Sequence, residues 1–455
     1  MREQNLAGQR KIAIIGTGIS GMAAAWLLNR RHDITVYEQN DYVGGHSNTT
    51  DIDIDGQILP VDTGFIVYNP VNYPNLVELF KHLGVETKAS DMSFSASLNN
   101  GALEYSGSGL RGLFAQPHNA LRPRFWRMLK DIIRFYDQAP QLLTDLSLAE
   151  VTLDEFLSQH RYSQAFVHDH LMPMGAAIWS SSVQQMLQFP ALAFLRFFNN
   201  HGLVQLKNRP QWRTVSGGSR EYVRLLTAPF ADRIRTAQPV VLIERGDHRA
   251  NVITADGHRE QYDDVVVACH ADEALQLLAD PTQEEKAILG KIRYQANNAV
   301  LHTDTNLLPA RKQAWASWNY IGSGNNAMHP KLCVTYLMNR LQGLPSEKPI
   351  LVTLNPCRNV DPAHVVRIFH YTHPIFDCAA IRSQRALWNL QGRQNTWFCG
   401  AYFGSGFHED GIQAGLAVAE KLGGGQRPWT VAEPSLRVGL NSAGWPLPTL
   451  ASILA

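Results

Sequence analysis

The residues from Lys11 to Gly21, KIAIIGTGISG, constrain the fold of this chain more than any other stretch. Ile12, Ala13, Ile14 and Ile15 read as a buried strand, and Gly16-Thr17-Gly18-Ile19-Ser20-Gly21 follows at once, opening the helical run Met22 to Leu28. A strand that breaks into glycines and restarts as a helix is a βα unit. Gly16 admits the tight turn, Gly18 lets backbone approach a diphosphate, and Gly21 lets helix and strand pack closely. The N–H groups at the helix start, around Ile19 and Ser20, are donors for phosphate oxygens. A second strand, Asp33 to Tyr37, delivers Glu38 and Gln39, with Glu38 seventeen residues beyond Gly21. A carboxylate there can accept ribose hydroxyls, so strand, turn, helix and acid together read as an adenine-dinucleotide site where a lone GxGxxG would not.

At 455 residues the chain is long enough for two or three lobes. Its 41 Lys+Arg nearly cancel its 40 Asp+Glu, which argues against a nucleic-acid partner. The five cysteines (Cys269, Cys333, Cys357, Cys378, Cys399) form no CxxC pair and no metal-ligand spacing. They suit a reducing compartment, and no metal site is expected. His168 and His170 form an HxH without a third ligand in view. No apolar h-region precedes the first strand and no window approaches the apolar length of a membrane span, so a soluble, cytoplasmic protein is expected.

After Glu38 comes the polar loop Asn40 to Thr49, with Gly44, Gly45 and His46. A βα start, an acid ending strand two and this glycine pair together resemble the flavin-containing amine oxidase and phytoene desaturase superfamily. The resemblance implies FAD, with the Gly44-Gly45 loop beside the cofactor diphosphate; many relatives carry Arg where this chain has His46. It also implies that Gly64 and Phe65 return beside the flavin, and that Val240 or Val241, in the strand PVVLIE, meets adenine through its backbone. Gly217-Gly218 would open a helix facing the dinucleotide. Asn395 to Leu422 resembles the last flavin motif: Gly400, then a helix whose N-terminus at Asp410, Gly411 and Ile412 points at the flavin. Gly415, Ala417 and Ala419 would pack this helix on the first βα unit. Phe407, His408 and Tyr336 are the flavin-adjacent candidates, catalytic residues being otherwise open. Ala401 departs from the family, where an acid is common. Asp62 reads either as part of the returning segment or as a local turn cap, and His270 as a turn residue rather than a base.

The remaining sequence differs in character. Between Gly107 and His201 helical periodicity dominates. Residues 111–135 combine Arg111, Arg122, Arg124, Arg127, Lys130 and Arg134 with Phe125, Trp126, Ile132 and Ile133, a pattern that suits a solvated helix with one buried face or a peripheral membrane contact. Thr152-Leu153-Asp154-Glu155 is a capping box, and Ala191 to Phe198 offers an apolar face for core or for a greasy pocket. Between Ile292 and Tyr371 the β-like runs 299–302, 332–338, 350–354 and 366–370 suit a mixed or antiparallel sheet. The expected fold is therefore α/β: a Rossmann-type FAD-binding domain (1–90, 205–290 and 390–425) interleaved with an α+β substrate domain (91–204 and 291–389), then a tail, 426–455.

What the resemblance implies is an FAD-dependent oxidoreductase that takes hydride from a substrate C–H to flavin N5. The family lysine that serves many amine oxidases has no evident match, and the apolar helices point toward a fatty acyl or other hydrophobic small-molecule or lipid substrate; uncharacterised bacterial proteins of similar sequence are associated with fatty-acid modification. A redox-neutral isomerase of unsaturated lipids, a polyamine oxidase and a non-enzymatic dinucleotide-binding regulator stay open, as does covalent flavin attachment at His46.

Overall fold

In the computed structural model, which describes residues 8–179, 181–323, 331–441 and 446, the first βα unit sits at the centre of a five-stranded parallel sheet. Its strand order is Thr396–Phe398, Asp264–Val267, Lys11–Ile15, Asp33–Tyr37, Ile234–Arg235. Ile14 lies opposite Val266 on one side and Val36 on the other, so the middle strands are buried on both faces and carry unbroken apolar runs. Every residue of the helix Ile19–Leu28 is buried. It is apolar all round because the sheet covers one side and the helix His408–Lys421 the other. Gly415 makes that contact: a Cβ there would stand 2.1 Å from the carbonyl oxygen of Ser20.

A second, seven-stranded sheet runs Val365–Ile375, Arg293–His302, Leu351–Leu354, Lys331–Leu337, Trp318–Ser323, Phe94–Leu98, Leu103–Ser106. All its pairs are antiparallel except Phe94–Leu98 with Trp318–Ser323. Helices from residues 109–200 cover it, and their apolar sides join it in a core separate from that of the parallel sheet. The capping box forms as its residues suggest, Glu155 N donating to Thr152 Oγ1 and Thr152 N to Glu155.

Arg259–Tyr262 closes a hairpin with Ala250–Thr254, and after a break Asp264–Val267 enters the parallel sheet. Asp263 makes the break by accepting the Lys11 N–H at 2.8 Å. Gly217-Gly218 does not present a helix N-terminus to the dinucleotide side. The carboxylate of Asp62 holds that end, accepting from Ser219 N and Oγ, Thr49 Oγ1 and Gln342 Nε2. Asp62 is thus a buried node between lobes and not a local turn cap. Residues 426–441 pack on the parallel-sheet lobe, Trp429 stacking on Trp26 at 5.8 Å and Arg427 pairing with Glu420. Cys333 and Cys357 approach to 3.0 Å without a disulfide between them.

Candidate active site

The C-terminal ends of the parallel strands open into a cavity of about 1030 Å³ that continues between the two cores to the face of the seven-stranded sheet. Gly16, Gly18, Ile19, Ser20, Glu38, Gln39, Gly44, Gly45, His46, Gly64, Phe65, Val240, Val241 and Gly400 all line it, together with Tyr336, Phe407 and His408. Four sequence candidates do not. Gly21 is consumed by packing, since a Cβ on it would meet Gly16 O at 2.0 Å. Asp410, Gly411 and Ile412 lie behind the wall, because the last helix begins two residues earlier than its sequence suggests, at His408. Asp410 turns inward, accepting from Phe407 N at 2.8 Å and pairing with Arg437 at 2.8 Å. Gly411 packs on Ile19 and Ser20. The cavity-facing helix entrance is Gly406-Phe407-His408.

The glycine-lined half is knitted by Thr17. Its N–H and hydroxyl donate to one oxygen of Glu38, and its oxygen accepts the Gly44 N–H at 3.1 Å. The other Glu38 oxygen accepts from Asn40 N and Nδ2 at 2.9 and 2.8 Å. Of these donors the Thr17 hydroxyl and the Asn40 amide can rotate away, which leaves acceptor room for ribose hydroxyls. Gly44 and Gly45 have φ of 127° and 58°, open to glycine at little cost, and Gly45 comes so close to Gly18 that a Cβ would stand 3.1 Å from its Cα. The second glycine element therefore lies on the first. In the strand Val240–Arg245 the pairing slips between Val240 and Leu242, which takes Val241 out of the ladder at the cavity edge. These features fit an adenine dinucleotide: a glycine cradle, an acid with exchangeable donors and free backbone groups at the far end.

His46 belongs to an aromatic group. Its ring lies 4.9 Å from Tyr371, 5.3 Å from His373 and 6.4 Å from His270. Burial holds its imidazole well below the ordinary range, helped by the neighbouring histidines, and pushes His373 down to about 4. Beside the glycine pair this chain thus places a neutral ring at pH 7. His270 is the turn residue expected, sitting before the helix Ala271–Leu277, yet it also lines the cavity, stacked on Tyr294 at 4.3 Å and bonded to Thr372. His408 is locked in place, stacked on Phe65 at 3.6 Å with Nε2 3.0 Å from both Tyr222 Oη and Ser47 Oγ. Burial pushes it down to about 3, so it takes up no proton near neutrality.

Beyond Phe407 the lining becomes apolar and aromatic, with Trp179, Phe197, Trp318 and Phe376 among its residues. Tyr336 stands edge-on to Trp318 at 4.9 Å. His201 is buried and pushed down to about 3. The lining carboxylates, Glu38 and Glu273, belong to the glycine-lined half, and Arg209 is the one Lys or Arg in the lining of the described residues. Arg209 is exposed and hydrogen-bonds Gln205 O and the Tyr136 hydroxyl, which places a cation at a mouth of the apolar half. Sequence reading missed Arg209, Tyr371 and His373; the alternation Tyr371-Thr372-His373 at a strand end was the available signal for the last two. His168 and His170 form no metal site with their neighbours: His170 bonds the Tyr105 hydroxyl, and among the described residues no three His, Cys, Asp or Glu side chains converge on a metal position.

Residues 19–354 match the family model described as flavin containing amine oxidoreductase. Among curated proteins the chain is 26% identical over 270 residues to human amine oxidase [flavin-containing] B, covering 55% of this chain and 48% of that one. It is 24% identical over 326 residues to the carotenoid phi-ring synthase of Streptomyces griseus, covering 66% and 59%. It thus spans about half to three-fifths of these relatives. Among solved structures, a redesigned putrescine oxidase superposes with a TM-score of 0.65 at 16% identity, covering 91% of this chain and 99% of that one. A CLA-producing fatty acid isomerase from P. acnes superposes with a TM-score of 0.64 at 17% identity, covering 90% and 98%. At such identities these two likenesses speak for the fold alone.

Proposed function

The chain belongs to the flavin-containing amine oxidoreductases, and from that membership we propose an FAD-dependent oxidoreductase whose substrate is a long apolar molecule ending in a carboxylate, a fatty acyl chain being the simplest. The observation that carries the substrate class is the charge pattern of the cavity. Among the described residues its apolar half has aromatic walls, neutral histidine, no carboxylate, and a single Arg or Lys, Arg209, at a mouth. An ammonium substrate would leave water for a site with nothing negative to receive it, whereas a carboxylate finds a charge-assisted partner in Arg209 and its chain finds apolar wall.

The chain's own residues act by positioning. The glycine cradle and Glu38 would hold the dinucleotide, and the Phe65–His408 stack, fixed by Tyr222 and Ser47, makes a rigid wall beside it. The packed aromatic lining excludes water from the reacting carbon. Bound there, FAD supplies a two-electron acceptor for a C–H hydride.

The test is anaerobic titration of the purified yellow protein. Long-chain fatty acids are expected to shift or bleach the flavin absorbance and putrescine to leave it unchanged. Arg209→Gln is expected to raise KM for the carboxylate by about twofold to fivefold, the strength of a solvent-exposed ion pair, with a smaller change in kcat. Product mass separates dehydrogenation, which removes two hydrogens, from isomerisation, which removes none. Putrescine reducing the flavin while fatty acids neither perturb it nor are converted would reverse the assignment.

A further inference from the structure

The helix Pro123–Gln138 buries Phe125, Met128, Ile132 and Phe135 in the core beneath the seven-stranded sheet. An ordinary surface helix would then show only polar residues outward. This one shows Trp126, 51% exposed, and Ile133, 59% exposed. Leu121, in the turn just before the helix, is 86% exposed, and Leu110 is 75% exposed. They share one corner: the Trp126 indole N–H donates to Ala120 O at 2.8 Å, and Phe114, at the end of the short helix carrying Leu110, lies 6.2 Å from the Trp126 ring.

Cations surround this apolar group. Arg124 and Arg134 are paired with Asp169 and Asp131. Arg111, Arg127 and Lys130 are exposed and form no ion pair among the described residues. Trp126, Lys130 and Ile133 follow one another at helical spacing along the outer stripe, so apolar and cationic side chains project side by side. Apolar side chains with flanking free cations are what a bilayer with anionic headgroups receives: the rings and branched chains enter the headgroup–acyl boundary and the cations stay at phosphate level. One turn further along the same helix, Tyr136 hydrogen-bonds Arg209 at the cavity mouth.

We propose that Leu110, Leu121, Trp126 and Ile133, with Arg111, Arg127 and Lys130, dock the protein on an anionic lipid bilayer, placing the cavity mouth at Arg209 beside the membrane so that the substrate chain enters from the lipid. What enters rests on the acyl-substrate reading above; the docking does not.

The experiment is cosedimentation of the flavin-loaded protein with phosphatidylcholine vesicles, with and without phosphatidylglycerol. The protein is expected to pellet only with the anionic vesicles and to be released by high salt, as interactions between exposed charges are screened. The pair Arg127→Gln and Lys130→Gln is expected to bind about thirtyfold more weakly, the combined effect of two cations near a charged surface. The pair Trp126→Ser and Ile133→Ser is expected to lose vesicle binding while keeping its flavin and its turnover of a short, soluble fatty acid. Failure of the native protein to pellet with anionic vesicles, or undiminished binding by the double Gln variant, overturns the docking. Vesicle binding by a protein inert to every fatty acid leaves the docking standing and sinks the substrate reading alone.

Discussion

Two glycines in the same contact region make opposite predictions when each becomes alanine. At Gly18 the backbone is extended, with φ −60° and ψ 169°, and a Cβ would meet nothing within 4 Å. Gly18→Ala should therefore change the stability of the flavin-free protein by less than about 0.5 kcal/mol, the usual scale for a substitution that disturbs no packing. The new methyl stands in the cavity where the dinucleotide must approach. Overpacking by one methyl costs about 1–3 kcal/mol, so FAD affinity should fall by about fivefold to a hundredfold. Gly415 is the reverse case. Its Cβ would lie 2.1 Å from Ser20 O, 2.9 Å from the carbonyl carbon and 3.1 Å from Cα, all backbone that cannot rotate aside. A carbon–oxygen contact needs roughly 3.3 Å, so the two helices must part by about 1 Å and lose dispersion contacts along their length. Against a helix-propensity gain of about 1 kcal/mol, Gly415→Ala should still destabilise by about 1–3 kcal/mol. Urea unfolding of the flavin-free variants measures the first quantity and quenching of FAD fluorescence the second. A Gly18→Ala protein that loses stability like Gly415→Ala, or that binds FAD as tightly as the parent, would refute the reasoning.

Asp62 offers a pH test, because burial outweighs its hydrogen bonds and raises its carboxyl to about 6 from 3.8. The folded state thus holds the proton more tightly than the unfolded chain, so this residue's contribution favours folding at acid pH and is lost as pH rises from about 4 to about 6. The loss is about 3 kcal/mol, and Asp62→Asn should flatten that part of a denaturation-versus-pH curve; an unchanged slope would assign it to other groups. Arg437 pairs with fully buried Asp410, donates to Asn72 O at 2.7 Å and lies over Tyr73 at 5.8 Å. Since its own side chain is 23% exposed, Arg437→Met should cost somewhat less than a sealed pair, about 2–4 kcal/mol, and adding Asp410→Asn should restore part of it. Equal urea midpoints for native and Arg437→Met proteins would show that Asp410 needs no partner.

The glycine cradle of the cavity is legible in the residues alone. The run KIAIIGTGISG, Glu38 and Gly44-Gly45 identify themselves because their conformations follow from backbone sterics over a few residues: a strand, glycine turns, a helix start. The same holds for the capping box at Thr152. Which way a side chain faces is decided elsewhere. Asp410 to Ile412 have the composition of a flavin-facing helix start, yet the helix begins at His408 and Arg437 draws Asp410 inward from 27 residues away. Gly217-Gly218 leads into a helix as read, but Asp62, 157 residues earlier than Ser219, fills its N-terminus. His46 meets Tyr371 and His373 only because the edge strand Val365–Ile375 lies across the cavity, and Arg209 stands as the one Lys or Arg among the described lining residues only in the folded chain. A single residue of helix phase turns a side chain by about 100°, and no local signal fixes that phase. Long-range packing does, so the glycine cradle is written along the chain, while the shape and charge of the apolar half of the cavity exist only in the folded protein.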